Sequence, residues 1–156
     1  MGFLAAECLA DKLGLKFKTR ECDALVATGY RGGEKIVIAK PLTYMNLSGV
    51  AVKQLVNKYK ADIKDLIVVF DDVDIPKGTV RVREKGSGGT HNGMRNIIQV
   101  MGTQEFPRVR VGIGPVPENV PIADYVLSDV PAKERQALYD AFSLAADEAI
   151  KLIDKK

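Results

Sequence analysis

Apolar residues recur along the chain with two different spacings, one typical of helices and one typical of strands. Helical spacing predicts helices over residues 1–13 and 47–59, from about Asn92 to Met101, and over a long amphipathic stretch that begins at Pro131. Strand-like patterns occur at residues 24–30, 35–39, 66–70, 79–83 and 108–114. The first two are joined by Gly32-Gly33, which predicts a hairpin. This order predicts an α/β fold, a single domain with a mixed twisted sheet flanked by helices.

Two of the predicted helices have a distinct inner face. The helix over 47–59 is expected to bury Leu47, Val50, Ala51, Leu55 and Tyr59, with Ser48 as its N-terminal cap. The last helix is expected to bury Leu138, Ala141, Phe142, Ala145, Ala149 and Ile150. Gly14 is the expected end of the first helix.

Residues 66–70 form an apolar run followed at once by Asp71 and Asp72. Such a run predicts a strand of a parallel sheet with both faces covered. Open α/β sheets bind their ligands at the carboxyl ends of strands, so Asp71 is a candidate active-site carboxylate. Asp74, Pro76 and Gly78 predict a turn after the strand. The two adjacent aspartates also fit a magnesium site or ordinary turn chemistry.

The composition is that of a globular protein. A chain of 156 residues with 46% hydrophobic residues is expected to form one domain with a core. It has no apolar run long enough to span a membrane and no basic segment typical of a signal peptide. Two cysteines do not make a disulfide framework, which favours the reducing cytosol. One histidine without a cysteine cluster argues against structural zinc.

Positive charge is concentrated in one part of the chain. The net charge is +3, but residues 77–110 contain seven basic residues (Lys77, Arg81, Arg83, Lys85, Arg95, Arg108, Arg110) and two acidic ones (Glu84, Glu105). A solvated face of two exposed strands would explain this composition. A basic patch beside an acidic site would also suit a substrate that contains phosphate.

Two further segments place polar residues at helix entrances. Asn46 precedes the helix over 47–59, and the glycine-rich stretch 86–93 ends in His91-Asn92-Gly93. Glycines at such a position let backbone N–H groups approach an anion. Asn46 and Asn92 also fit simple helix caps, and a histidine beside glycines is commonly structural. The stretch lacks the endings of a P-loop or a dinucleotide fingerprint, and no serine-nucleophile elbow occurs.

Together these segments resemble the bacterial peptidyl-tRNA hydrolase family. The shared signatures are KPLTYMNLSG (40–49), DDVDIPKG (71–78), GSGGTHNGMRNII (86–98), FPRVRVGIG (106–114) and ADYVLS (123–128). They occur in the family's order and at similar spacing over nearly the whole chain. The resemblance implies hydrolysis of the ester that links a peptide to the 3′ end of a tRNA, which recycles the tRNA.

The resemblance also implies roles for individual residues. Asp71 would orient and polarise the attacking water, Asn46 and Asn92 would hold the water and the peptidyl-adenosine end, and His91 would support the glycine-rich loop without touching the substrate. Tyr44 and Met45 would line the crevice, Arg83 and Arg110 would clamp the terminal phosphate of the tRNA, and Gly89 and Gly93 would let the backbone approach the substrate. No metal or cofactor is implied. We expect a cytoplasmic monomer whose partner is peptidyl-tRNA and which does not bind membranes.

The resemblance has a gap at its beginning. The family opens with a strand, a glycine-rich turn and a His-Asn pair whose histidine is the general base, and this sequence starts just after the position of that pair. We therefore expect a truncated domain whose native form is longer. Loss of the base would lower the rate by about 10²–10⁴.

Two other functions fit the same residues. A non-catalytic tRNA- or RNA-binding protein of this fold would use the arginines without turnover. A generic small-molecule esterase would cleave simple esters and show no salt-dependent affinity for tRNA.

Overall fold

The computed structural model describes residues 2–42, 47–89, 91–114 and 132–154. Its elements, in chain order, are α1 (Gly2–Lys12), β1 (Thr19–Glu21), β2 (Ala24–Arg31), β3 (Glu34–Pro41), α2 (Ser48–Lys58), a 3-10 turn (Ile63–Asp65), β4 (Val68–Pro76), β5 (Val80–Arg83), α3 (Asn92–Met101), β6 (Arg108–Gly114) and α4 (Ala132–Asp154). The α/β class predicted from the sequence is confirmed.

Strands β1, β2 and β3 form an antiparallel sheet. The β2–β3 hairpin turns at Gly32-Gly33, as predicted, with φ of 58° and 82°. Two successive positive φ angles define a type I′ turn, which suits the twist of a two-residue hairpin. Strand β1 was not predicted, because three residues are too few to show a pattern.

The second sheet has the strand order β4–β6–β5, with β4 parallel and β5 antiparallel to β6. Here the sequence-based interpretation of residues 66–78 is wrong in two respects. Strand β4 continues through Pro76, so the turn lies at Lys77-Gly78. Residues 67–69, which were predicted to be covered on both faces, are only half-buried. Within the described residues β4 is an edge strand of this sheet, and β6 is the central strand.

Helices cover both faces of this second sheet. On one face α1 and α4 pack against β6 through Ala5, Val109, Val111, Ile113, Leu138, Ala141, Phe142 and Ala145. The predicted inner face of α4 is confirmed, with Ile150 half-buried and the other five residues buried. On the other face α3 packs through Met94 and Ile97 against Phe70 and Phe106.

Helix α2 differs in detail from its prediction. Leu47 is its N-cap residue and no side chain caps it, so the interpretation of Ser48 as a cap is wrong. Leu47 and Val50 are exposed, whereas Ser48 and Gly49 are buried. The reason is a close contact with α3, where the Gly49 N–H donates to Asn96 Oδ1 at 2.6 Å.

Both cysteines, Cys8 and Cys22, are free. No helix within the described ranges is long and apolar enough to cross a membrane.

Candidate active site

The two aspartates, Asp71 and Asp72, lie in the middle of β4 and not at its end as predicted, and they point to opposite faces of the sheet. Asp71 is in register with Val111 of β6 and Asp72 with Gly112, in a regular stretch of the strand. Successive side chains of a strand alternate between faces. The two carboxylates therefore do not converge on one ion, which disfavours the magnesium-pair interpretation.

Asp71 contacts His91. The Asp71 Oδ1 and His91 Nε2 atoms are 3.4 Å apart, which is long for an N–H···O bond. The Asp71 side chain is 24% exposed and that of His91 16% exposed, so solvent still reaches the carboxylate. The Phe70 ring lies against the imidazole with centroids 5.0 Å apart, which fixes the plane of the imidazole from the strand side.

His91 is also the N-cap of α3. Its Nδ1 accepts a hydrogen bond from the Met94 N–H at 3.0 Å. Because Nδ1 accepts, the neutral imidazole has its proton on Nε2, the nitrogen that faces Asp71. Asn92 is the first helical residue, so its interpretation as a cap is wrong: the cap is the residue before it.

The ionisation of Asp71 follows from this pairing. Burial favours the neutral acid, whereas the hydrogen bond from His91 favours the carboxylate, and the pKa of Asp71 is lowered from its ordinary value of 3.8. Asp71 is therefore a carboxylate at neutral pH. It can accept a hydrogen bond from a water molecule, but it is a weak base.

Asp72 organises the opposite face of the sheet. Its Oδ2 accepts from Arg110 Nε at 2.8 Å and lies 2.7 Å from Arg110 Nη2, and its Oδ1 accepts from the Asp74 N–H at 2.9 Å. Asp72 is buried, whereas the Arg110 side chain keeps 27% of its surface exposed. The arginine is thus held in one orientation while part of its side chain remains exposed.

Four arginines share one face of the β5–β6 ladder. Arg81 is opposite Arg110 and Arg83 is opposite Arg108, while the intervening valines face the core. Arg83 is exposed, and its Nη1 donates to the carbonyl of Val82 at 2.8 Å. Arg108 is only 1% exposed. Burial, with the charge of Arg110 as a second cause, lowers the pKa of the Arg108 guanidinium.

The glycine-rich loop, residues 86–89, lies across the arginine face. A side chain at Gly88 would meet the backbone of Arg95 at 2.8 Å, so only glycine allows the loop to approach α3 this closely. Gly89 has φ of 57°, and its carbonyl accepts from Arg95 Nε. The Gly88 carbonyl accepts from the His91 N–H at 3.1 Å, which connects the loop to the histidine.

A cleft of about 210 Å³ lies between this loop and the sheet. It is lined by Phe70, Asp72, Arg83, Lys85, Gly86, Ser87, Gly88, Gly89, Arg108 and Arg110. Four basic side chains and one acidic one line it, so it favours an anionic group. Within the described parts of the chain no cluster of three or more acidic, histidine or cysteine side chains could hold a metal ion.

The structure brings some of the predicted site residues together and leaves others undescribed. Asp71 and His91 are in contact, Arg83, Arg110 and Gly89 line the cleft, and Gly93 is buried in the first turn of α3. Tyr44, Met45 and Asn46 lie outside the described residues, as does the side chain of Asn92.

Sequence reasoning assigned no site role to Arg108 and did not foresee that Asp72 would hold Arg110. Arg108 and Arg110 occupy equivalent positions in the alternating pattern of residues 108–111. They differ in burial because the glycine-rich loop covers Arg108. No signal in the local sequence would have identified the buried arginine.

Comparison with known proteins identifies the family of the chain. The family model described as peptidyl-tRNA hydrolase matches residues 1–156. A peptidyl-tRNA hydrolase of Chloroflexus aurantiacus is 47% identical over 148 residues, covering 94% of this chain and 79% of the relative. One from Brevibacillus brevis is 46% identical, covering 94% and 77%.

Solved structures give the same result. The crystal structure of peptidyl-tRNA hydrolase from Acinetobacter baumannii superimposes with a TM-score of 0.87 at 28% identity, over 98% of this chain and 78% of that one. Fold and sequence are therefore similar to those of peptidyl-tRNA hydrolases over nearly the whole chain. The chain belongs to the peptidyl-tRNA hydrolase family.

Proposed function

We propose that this protein hydrolyses the ester bond between the peptide and the tRNA of peptidyl-tRNA. The observation that supports this most directly is the pairing of Asp71 with His91 beside a cleft lined by arginines, on a fold shared with peptidyl-tRNA hydrolases. Such a site offers a carboxylate that can bind a water molecule, and the arginines of the cleft offer cations that can bind a phosphate.

Asp71 is proposed to orient the water that attacks the ester carbonyl. The carboxylate is ionised at neutral pH and partly exposed, so it can accept one hydrogen of that water. His91 holds the carboxylate in place through Nε2 while its other nitrogen caps α3. Asn46 and Asn92 are proposed to hold the water and the peptidyl-adenosine end, with Tyr44 and Met45 beside them.

The general base is proposed to be a group other than His91. In this arrangement Nδ1 already accepts the Met94 N–H, and Nε2 is the protonated nitrogen, so neither can take a proton from water without breaking a contact. His91 is the single histidine of the sequence. We therefore propose that His91 positions Asp71 and does not act as the base.

Arg110 and Arg83 are proposed to bind the terminal phosphate of the tRNA. Arg110 is the stronger candidate, because Asp72 fixes its guanidinium before the ligand arrives and less side-chain freedom is lost on binding. Arg83 is exposed and lines the same cleft. Gly89, in the loop beside them, lets the backbone approach the substrate.

The protein is further proposed to act as a monomer in the cytoplasm. Two free cysteines suit a reducing compartment. Sedimentation equilibrium tests the monomeric state, because a concentration-dependent mass above the 17.0 kDa of one chain would contradict it.

The decisive experiment is release of an N-blocked amino acid from its tRNA, with a simple ester of the same amino acid measured in parallel. Cleavage of the tRNA ester only, with an affinity that falls as salt rises, supports the proposal. Cleavage of both esters with no salt dependence would indicate a generic esterase. Salt-dependent binding without cleavage would indicate an RNA-binding protein.

A further inference from the structure

Arg108 is the most deeply buried charged residue of the described chain, and its partners are backbone carbonyls. Its guanidinium donates from Nε to Phe106 O at 3.3 Å, from Nη2 to Phe106 O at 3.1 Å and to Gln104 O, and from Nη1 to Gly86 O and, at 3.5 Å, to Ser87 O. Within the described ranges no carboxylate pairs with it. The Phe106 ring lies 4.6 Å from the guanidinium carbon.

Burying a cation without a counterion lowers the stability of a fold, and an apolar side chain at such a position would usually make the fold more stable. This position requires what an arginine provides, a planar fork with donors on two sides. One side of the fork binds the segment that leads into β6, and the other binds the start of the glycine-rich loop. Two distant parts of the chain are joined through one guanidinium.

The loop leads directly to the reacting centre. Gly86 and Ser87 are held by Arg108, the Gly88 carbonyl accepts from the His91 N–H, and His91 contacts Asp71. At the other end the Gly89 carbonyl accepts from Arg95. The loop is therefore held at both ends, at Gly86 and Ser87 by Arg108 and at Gly89 by Arg95.

We propose that Arg108 is a positioning residue for the hydrolysis, which holds the glycine-rich loop so that His91 stays opposite Asp71. The proposal rests on the proposed function for its kinetic consequence, whereas its structural consequence can be measured independently. Arg108 does not touch the substrate ester in this account. It acts through the loop.

The test compares Arg108→Lys with Arg31→Lys in the full gene product. Lysine keeps the charge but has a single ammonium, which cannot span the carbonyls on both sides. Arg31 is a matched control, because its Nε and Nη2 also hold a defined partner, Asp154, at the protein surface. We expect Arg108→Lys to lower kcat about 10-fold with KM changed less than about twofold, because small misplacements of reacting groups reduce kcat. We expect Arg31→Lys to change neither.

A second readout does not depend on turnover. The 156-residue chain has one histidine, so ¹H–¹⁵N spectra of its imidazole, recorded on this chain, report on His91 alone. We expect the wild type to show the tautomer with the proton on Nε2 and Arg108→Lys to show a mixture of tautomers. A folded Arg108→Lys protein with an unchanged kcat and an unchanged His91 tautomer would overturn the proposal. If the wild type does not cleave the ester but Arg108→Lys still shows a mixture of His91 tautomers, the proposed function is contradicted and the positioning role of Arg108 is supported.

If Arg108→Lys does not fold, Gly86→Ala provides the same test. Gly86 has φ of 146°, which an L side chain rarely adopts, and a Cβ there would lie 3.9 Å from Arg108 Nη1. The substitution strains the loop where Arg108 holds it and leaves the core untouched. We expect the same loss of kcat and of the single tautomer, and normal values for both would overturn the proposal.

Discussion

His91 donates toward Asp71 with one nitrogen and accepts the Met94 N–H with the other. Nε2 is 3.4 Å from Asp71 Oδ1, and Nδ1 is 3.0 Å from the Met94 nitrogen. One side chain thus caps a helix and orients a carboxylate on the neighbouring strand. The two tasks can be separated by mutation.

His91→Asn keeps a good capping residue but cannot place a donor at the Nε2 position. We expect it to unfold at nearly the wild-type urea concentration and to lower kcat about 10-fold, because Asp71 loses its partner. His91→Ala loses both contacts and is expected to lower the free energy of unfolding by a further ~1 kcal/mol. A loss of 10²–10⁴ in kcat for both variants would instead identify His91 as the general base.

The lowered pKa of Asp71 predicts a pH dependence of stability. A carboxyl with a lower pKa in the folded state stabilises the fold above its unfolded pKa and loses that effect as pH falls through the folded value. The free energy of unfolding of the wild type relative to Asp71→Asn is therefore expected to decrease as the pH falls below the ordinary carboxyl pKa of 3.8. Urea unfolding at several pH values measures this. A difference that falls between pH 8 and pH 6 would contradict the assignment.

Arg110 is expected to contribute mainly to binding. Arg110→Ala should raise KM for the tRNA ester about 10-fold and reduce the slope of log affinity against log salt by about 1, as for loss of one phosphate contact. Arg83→Ala should have a smaller effect in the same direction, because Arg83 is exposed and is not held by a carboxylate in the described structure. Arg31→Ala, a surface arginine elsewhere, serves as the control. Wild-type KM and salt slope in both cleft variants would refute the clamp.

Gly49 is expected to tolerate no side chain. A Cβ there would lie 2.7 Å from the Asn96 carbonyl and 2.9 Å from Val100 Cβ, so α2 would have to move away from α3. Gly49→Ala should cost about 1–3 kcal/mol in the free energy of unfolding. Val50→Ala, at the next and exposed position, should stay within about 0.5 kcal/mol of the wild type. Equal stability of the two variants would contradict the close helix contact.

Much of the fold could be predicted because its signals are local. The paired glycines at 32–33 determine a hairpin, and the spacing of Leu138, Ala141 and Phe142 determines the inner face of α4. The carboxylate at Asp71 was identified as a candidate because it follows an apolar run.

What could not be predicted depends on contacts between distant segments. Helix α2 turns Gly49 rather than Val50 inward because of Asn96, which is 47 residues away. Arg108 and Arg110 alternate identically in the sequence, yet the loop at 86–89 buries the first and Asp72 holds the second. Such relationships arise only when the sheet and the loop are assembled.

The most direct test of the central claim is the turnover of an N-blocked aminoacyl-tRNA by the full gene product and by its Asp71→Asn variant, with Asp11→Asn, an exposed aspartate of α1, as control. The account predicts that Asp71→Asn lowers kcat about 10²–10³-fold with tRNA affinity unchanged, because a charge that orients the water is removed. Asp11→Asn should match the wild type. Equal turnover by the Asp71→Asn variant would remove Asp71 from the reaction and contradict the account.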